Sequence, residues 1–118
     1  MTVVYDLHSH STASDGTQSP TELVRLASAA GVNVLALTDH DTTEGLSEAV
    51  VAAKEQQVCL INGVEISVSW GKQTVHVVGL GFDPATPALQ SGLQEIRAYR
   101  SWRAEEIGRR LAKHGITG

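Results

Sequence analysis

Residues 3–10 read Val-Val-Tyr-Asp-Leu-His-Ser-His, and Asp15 follows five positions later. This stretch restricts the fold more than any other. The apolar run predicts a strand over residues 2–8. Residues two apart on a strand share a face, so Asp6, His8 and His10 project to one side and Tyr5 and Leu7 to the other. Two imidazoles roughly 7 Å apart along one face can close on a single cation where the strand end curls. The rest of the chain is then expected to act as scaffolding that brings further ligands to this point.

The stretch 9–18 is small, polar and turn-prone, and predicts a loop. Ser19-Pro20-Thr21-Glu22 announces a helix, with Ser19 as cap, Pro20 in the first turn and Glu22 completing a capping box. Its expected buried stripe is Leu23, Leu26, Ala27 and Ala30, and Gly31 stops it. Residues 32–38 are nearly continuous apolar sequence, as expected of a parallel strand covered on both faces. They end in Asp39-His40-Asp41. Thr42 or Thr43 is the expected cap of a second helix with the stripe Leu46, Ala49, Val50 and Ala53. A third strand opens at Val58-Cys59-Leu60-Ile61, with a break at Asn62-Gly63 and a continuation through Val64–Val68. Trp70-Gly71-Lys72 reads as a turn, Thr74–Phe82 as a fourth strand, and Ala88–Lys113 as a long helix ended by Gly115. That helix has Leu89, Leu93, Ile96, Ile107 and Leu111 at helical spacing. Alternation of this kind predicts an α/β fold with a parallel sheet or barrel and right-handed crossovers. A full (β/α) barrel takes about 200 residues or more, and 118 residues supply roughly half of one.

The 42% apolar content is enough for a buried core. A net charge of −4 gives no electrostatic reason for non-specific or stable duplex nucleic-acid binding. No apolar run approaches the roughly 18–20 residues of a membrane span, and the N-terminus lacks a signal-peptide core. The lone Cys59 cannot form an intrachain disulfide and is expected to be a buried small hydrophobe. The expected setting is cytoplasmic.

The ionisable groups are clustered. His8 and His10 follow the first strand, His40 follows the second and His76 lies in the fourth, with Asp15, Asp39, Asp41 and Glu65 near them in sequence. Ligands bind at the carboxyl ends of parallel strands, so these groups are expected to converge. Taken singly, each has a plainer explanation: a locally bonded His-x-His, an N-cap cluster at 39–41, a satisfied core acid or histidine. Together they would need a separate explanation apiece, whereas a shared metal site accounts for all of them. Imidazoles and carboxylates without thiolates suit Zn²⁺, Mn²⁺ or Fe²⁺, and two or three such ions can clamp a phosphoryl group and activate water. His114, in a last helical turn, is read as structural. Arg97, Arg109 and Arg110 are assigned to a solvated helix face, and Arg100 and Arg103 to phosphate contact.

Asp6-Leu7-His8-Ser9-His10-Ser11 with Asp15-Gly16, then Thr38-Asp39-His40-Asp41, then Gly63-Val64-Glu65-Ile66-Ser67, then His76-Val77-Val78-Gly79 resemble the PHP (polymerase and histidinol phosphatase) superfamily. The segment Arg100-Ser101-Trp102-Arg103-Ala104-Glu105 is similar to its stand-alone bacterial phosphoesterases, among them 3′,5′-nucleoside bisphosphate phosphatases and a related RNA 5′-exonuclease activity. The resemblance implies a distorted (β/α)7, TIM-like barrel with a trinuclear metal site, of which residues 1–118 would be the N-terminal part. It implies that His8 and His10 hold one ion and Asp15 and His40 a second. Glu65 would bridge the first and third ions, and His76 would hold the third. Asp39, and Asp6 like it, would orient a ligand, and the catalytic Arg100 and Arg103 would face substrate phosphate.

The pattern departs from the family after Glu65. The family uses another histidine and a late Asp-x-His motif, but the only later histidines here are His76 and His114. A truncated domain is the expectation, with an open edge prone to self-association. The implied activity is hydrolysis of a small phosphomonoester, first a nucleoside 3′,5′-bisphosphate or short-RNA-type substrate. Histidinol phosphate phosphatase is the enzymatic alternative, and a non-catalytic metal-binding or polymerase-associated module is the alternative outside stand-alone catalysis.

Overall fold

The computed structural model describes residues 2–70 and 72–113. The elements are β1 (Tyr5–Asp6), α1 (Pro20–Ala29), β2 (Val34–Leu37), α2 (Leu46–Gln56), β3 (Cys59–Trp70), β4 (Gln73–Leu80) and α3 (Pro87–Lys113). They form one four-stranded sheet in the order β1-β2-β3-β4. The expected parallel arrangement holds for β1, β2 and β3. It fails for β4, which runs antiparallel to β3 from Gly63↔Leu80 to Trp70↔Gln73. Two residues separate the paired ends, and a parallel crossover needs a dozen or more. The expected break at Asn62-Gly63 is instead the point where a continuous strand changes partner. Through Asn62 it pairs with β2, and from Gly63 onward with β4.

Helix α1 follows its local signal at the start and departs from it in the face it buries, whereas α2 buries most of its expected stripe but is capped differently. Ser19 caps α1 by accepting a hydrogen bond from Glu22 N–H, and Pro20 occupies the first turn. The buried side of α1 is centred on Pro20 and Val24, with Leu23 and Ala27 partly covered, while Leu26 is 54% exposed and Ala30 is exposed. The stripe is rotated because α1 packs against α2 while Val24 joins the cluster that holds Leu35 and Leu37 of the sheet. In α2 the buried residues are Leu46, Ala49, Ala52 and Ala53, with Val50 half-buried. Neither threonine caps it. Gly45 stands at the N-cap, Thr42 Oγ1 accepts from Glu44 N–H, and Thr43 O accepts from Leu46 N–H, so the threonines shape the preceding turn.

The core lies between the two helices and β2, whose Leu35, Ala36 and Leu37 are buried. Cys59 is exposed, contrary to the expectation of burial. Val58 is buried and Leu60 packs against the same cluster, and the pleat turns Cys59 to the opposite, uncovered face. Helix α3 buries Leu93, outside that cluster, but leaves Tyr99, Trp102 and Ile107 exposed. His114 and Gly115 lie outside the described residues, as does the centre of the expected turn, Gly71. No helix among the described residues is long and apolar enough to cross a membrane.

Candidate metal centre

Three backbone devices bring the polar residues together. The strand of the opening motif is shorter than expected, so His8 and His10 lie in the chain leaving β1. Ser9 ties that chain to β2: its N–H donates to Thr38 Oγ1 at 3.1 Å and its hydroxyl to Ala36 O at 2.7 Å. Residues 39–41 are locked to β3 through Glu65 N–H to Asp39 O and Asp41 N–H to Glu65 O, both 3.0 Å. On the hairpin, Ser67 is opposite His76, which puts His76 diagonal to Glu65 on the same face.

Glu65 is the hub. It is buried, and imidazole nitrogens surround its carboxylate: His8 Nε2 at 2.5 Å, His40 Nδ1 at 3.0 Å, His10 Nε2 at 3.4 Å and His76 Nδ1 at 3.5 Å. His8 and His10 bring their Nε2 atoms within 3.1 Å of each other. Asp15 closes the far side, with Oδ1 at 2.5 Å from His10 Nδ1 and Oδ2 at 3.1 Å from His40 Nε2. The ligand atoms form three overlapping triples: His8–His10–Glu65, His10–Asp15–His40 and His40–Glu65–His76. Within each, all ligand atoms lie within 4.8 Å of one another. His10 and His40 each belong to two triples, a sharing that the family resemblance does not imply for them. Four imidazoles and two carboxylates whose lone pairs turn inward, with no thiolate, form a donor set that fits Zn²⁺, Mn²⁺ or Fe²⁺.

Burial pushes the Glu65 carboxyl up, but the short contact with His8 and the charges of His40, His10 and His8 outweigh it and hold the group below its ordinary 4.5. The bond to His10, opposed by slight desolvation and assisted by the charges of His40 and His10, holds Asp15 below 3.8. Groups with depressed folded-state pKa values stabilise the fold fully above their unfolded pKa and cease to do so as pH falls through the lower folded one. Urea midpoints of the metal-free chain are therefore expected to be lower at about pH 3 than at about pH 5. The Glu65→Gln variant should show a shallower loss over that acid range.

Asp39 is placed differently from the ligands. Its Oδ1 accepts from Ser11 N–H at 2.6 Å and Ser14 hydroxyl at 2.7 Å, and its Oδ2 accepts from Ser11 hydroxyl at 2.6 Å. It therefore orients the 9–18 loop that carries His10 and Asp15, rather than a ligand directly. Among the described residues, Asp6 accepts only locally, from His8 N–H.

A cavity of about 860 Å³ opens beside the cluster, lined by Asp15, His40, His76, Gln90, Arg97 and Arg100 among others. Arg97, assigned from sequence to a solvated face, reaches this cavity, and its Nη1 donates to Asp41 O at 2.7 Å. The three-residue spacing to Arg100 was the available signal. Arg103 lies instead in a neighbouring cavity of about 530 Å³, which also touches His76, Tyr99 and Arg100. Arg109 and Arg110 pair with Glu106 on the exposed helix, as expected for a solvated face.

Fold and site together define a class: an α/β chain that gathers a His/carboxylate cluster able to hold metal beside a cavity bordered by arginines. The chain belongs to the PHP domain family, whose model matches residues 6–102. It is 58% identical over 116 residues to a 5′-3′ exoribonuclease of Haemophilus influenzae, covering 98% of this chain and 42% of that protein. It is 54% identical over 113 residues to a 3′,5′-nucleoside bisphosphate phosphatase of Chromobacterium violaceum, covering 96% and 40%. A solved structure of an amidohydrolase from Chromobacterium violaceum, with bound sulfate and no metal, matches with a TM-score of 0.87 at 54% identity, covering 97% of this chain and 40% of that one. The structure of an inferred metal-dependent phosphoesterase from Bifidobacterium adolescentis matches at 0.85 and 34% identity, over 94% and 39%. The chain thus has the PHP fold and spans about two fifths of the length of these relatives.

Proposed function

We propose that residues 1–118 form the N-terminal part of a single PHP domain that hydrolyses phosphoric esters with two or three divalent ions, Mn²⁺, Zn²⁺ or Fe²⁺. The observation that carries this reading is the convergence of His8, His10, Asp15, His40, Glu65 and His76 into three overlapping ligand triples. When bound, such ions polarise a phosphoryl group and make water a competent nucleophile near neutral pH.

The chain's own residues supply the surroundings. Glu65 and Asp15 stay ionised and so neutralise cations. Asp39 holds the loop that positions Asp15. Arg100 and Arg97 border the cavity and match phosphoryl oxygens through guanidinium N–H groups. Arg103, in the adjoining cavity, suits a second phosphate. That pair of cavities, and the similarity to a 5′-3′ exoribonuclease and a 3′,5′-nucleoside bisphosphate phosphatase, support a nucleoside 3′,5′-bisphosphate or short-RNA end as substrate. The net charge of −4 opposes stable duplex binding. The exposed valines of β4 support self-association of the chain. The single cysteine accords with a reducing, cytoplasmic setting.

Elemental analysis of the purified chain, paired with phosphate release from bisphosphate nucleotides and from histidinol phosphate, tests the reading. Near-stoichiometric metal that disappears in the His8→Ala/His10→Ala variant is expected, with release from the bisphosphate. A chain without Mn, Zn or Fe, unchanged by that double substitution, would sink it.

A further inference from the structure

Asp41 is not one of the clustered ligands, yet it is buried and every polar atom it has is engaged. Its N–H donates to Glu65 O at 3.0 Å, and its Oδ1 accepts from Ser67 N–H at 2.9 Å. Its carbonyl accepts from Arg97 Nη1 at 2.7 Å, and its Oδ2 from Arg100 Nη1 at 2.6 Å. Its backbone sits in the left-handed region, φ 53, which costs energy for any residue but glycine and is best tolerated by Asn and Asp. The surroundings must hold that conformation, and the bonds to β3 do so. The consequence is directional: His40 on one side of the peptide faces the ligand cluster, while the carbonyl and carboxylate of the next residue face α3.

We propose that Asp41 is a positioning residue that couples α3 to the ligand cluster, fixing Arg97 and above all Arg100 so that the guanidinium of Arg100 faces a phosphoryl group in the cavity beside His40 and His76. The proposal rests on the phosphoesterase reading for the identity of the anion, not for the coupling itself. Arg100 is half exposed on a helix that leaves Trp102 and Ile107 exposed beyond it. An arginine so placed would otherwise sample many rotamers and lose more entropy on binding an anion. The contact to Asp41 uses a single guanidinium nitrogen, Nη1. The other N–H donors remain for the bidentate recognition that guanidinium offers phosphate.

The substitution Asp41→Asn isolates this role. Asn accepts from Ser67 N–H and tolerates the left-handed backbone, but lacks the charge that holds Arg100. Two readouts are needed on the chain labelled with ¹⁵N-arginine and loaded with Zn²⁺. In the first, hindered Nη signals of Arg100, identified by their loss in Arg100→Ala, are expected in the wild type, lost in Asp41→Asn and retained in Arg103→Ala. In the second, titration with inorganic phosphate is expected to show about tenfold weaker binding for Asp41→Asn. In the Arg100→Ala background, Asp41→Asn should add nothing, and Zn²⁺ stoichiometry should be unchanged throughout. Freely averaging Arg100 signals in the wild type, or hindered signals that survive Asp41→Asn, would overturn the coupling. So would equal weakening with and without Arg100, or parallel loss of Zn²⁺, since either marks a merely structural role. A hindered Arg100 in a Zn²⁺-loaded chain that binds no phosphate would overturn the orientation toward a phosphoryl group and count against the phosphoesterase reading as well.

Discussion

Glu65→Gln is expected to reduce divalent-metal affinity by at least about 100-fold, because residues that merely orient metal ligands already cost 10–100-fold when removed. Glu65 belongs to two of the three ligand triples, and its two oxygens contact different histidines. Gln keeps the shape and one acceptor, but it removes the negative charge and replaces an acceptor with a donor aimed at imidazole nitrogens. The substitution thus acts on the centre without opening a cavity beside Val64. Competition with a fluorescent chelator would give the affinity ratio. Thermal melts would give a second measure, since saturating metal at about 100 times its dissociation constant raises stability by about 2.7 kcal/mol. That increment should be present in the wild type and fall to about 0.4 kcal/mol or less in Glu65→Gln at the same metal concentration. A full metal-induced shift in the variant would show that Glu65 is a satisfied core acid and not a shared ligand.

The substitution Gly16→Ala is expected to disable the same centre by a different route. A Cβ at position 16 would overlap His10 O and stand 2.8 Å from the Ser11 carbonyl carbon. Those are backbone atoms, so no side-chain rotamer relieves the clash, and the loop must open. The loop is held by Gly16 N–H to Ser11 O at 2.8 Å, Thr12 N–H to Gln18 O at 2.9 Å and the contacts of Ser11 and Ser14 with Asp39. Opening it displaces both His10 and Asp15. A loss of about 2–3 kcal/mol is expected, read as a lower urea midpoint, together with loss of metal binding. Gly31→Ala serves as a control for glycine replacement as such, because nothing lies within 4 Å of its added Cβ. Its strained φ of 87 should lower stability while metal binding persists. Retained metal affinity in Gly16→Ala would mean that the loop's close approach does not shape the centre.

Much of this architecture is legible without coordinates. The Ser19-Pro20-Thr21-Glu22 signal sets the start of α1 because capping is decided by neighbouring backbone N–H groups. The His-x-His, Asp15, Asp39-His40-Asp41, Glu65 and His76 positions stand out because polar groups at strand ends and in apolar strands need partners. Three of the misreadings share one cause. Leu26 instead of Val24, Cys59 as a buried residue and Arg97 as solvated all concern which side of an element faces its neighbours. Periodicity shows that a helix has an apolar side, but the rotation of that side depends on what packs against it. For α1 this is α2 as well as the sheet.

From the sequence alone came the α/β alternation, the ligand types and the family, since these depend on local propensity, residue chemistry and motif spacing. The antiparallel placement of β4 was decided in three dimensions. So were the role of Glu65 as hub, the sharing of His10 and His40 between triples, and the attachment of α3 through Asp41. Each depends on register or on contacts between residues 25 to 60 positions apart. A one-residue slip of the β3–β4 register would turn His76 away from Glu65. The opening His8 and His10 have the right chemistry to bind a metal, and the fold of the chain supplies the partners that gather them into a candidate centre.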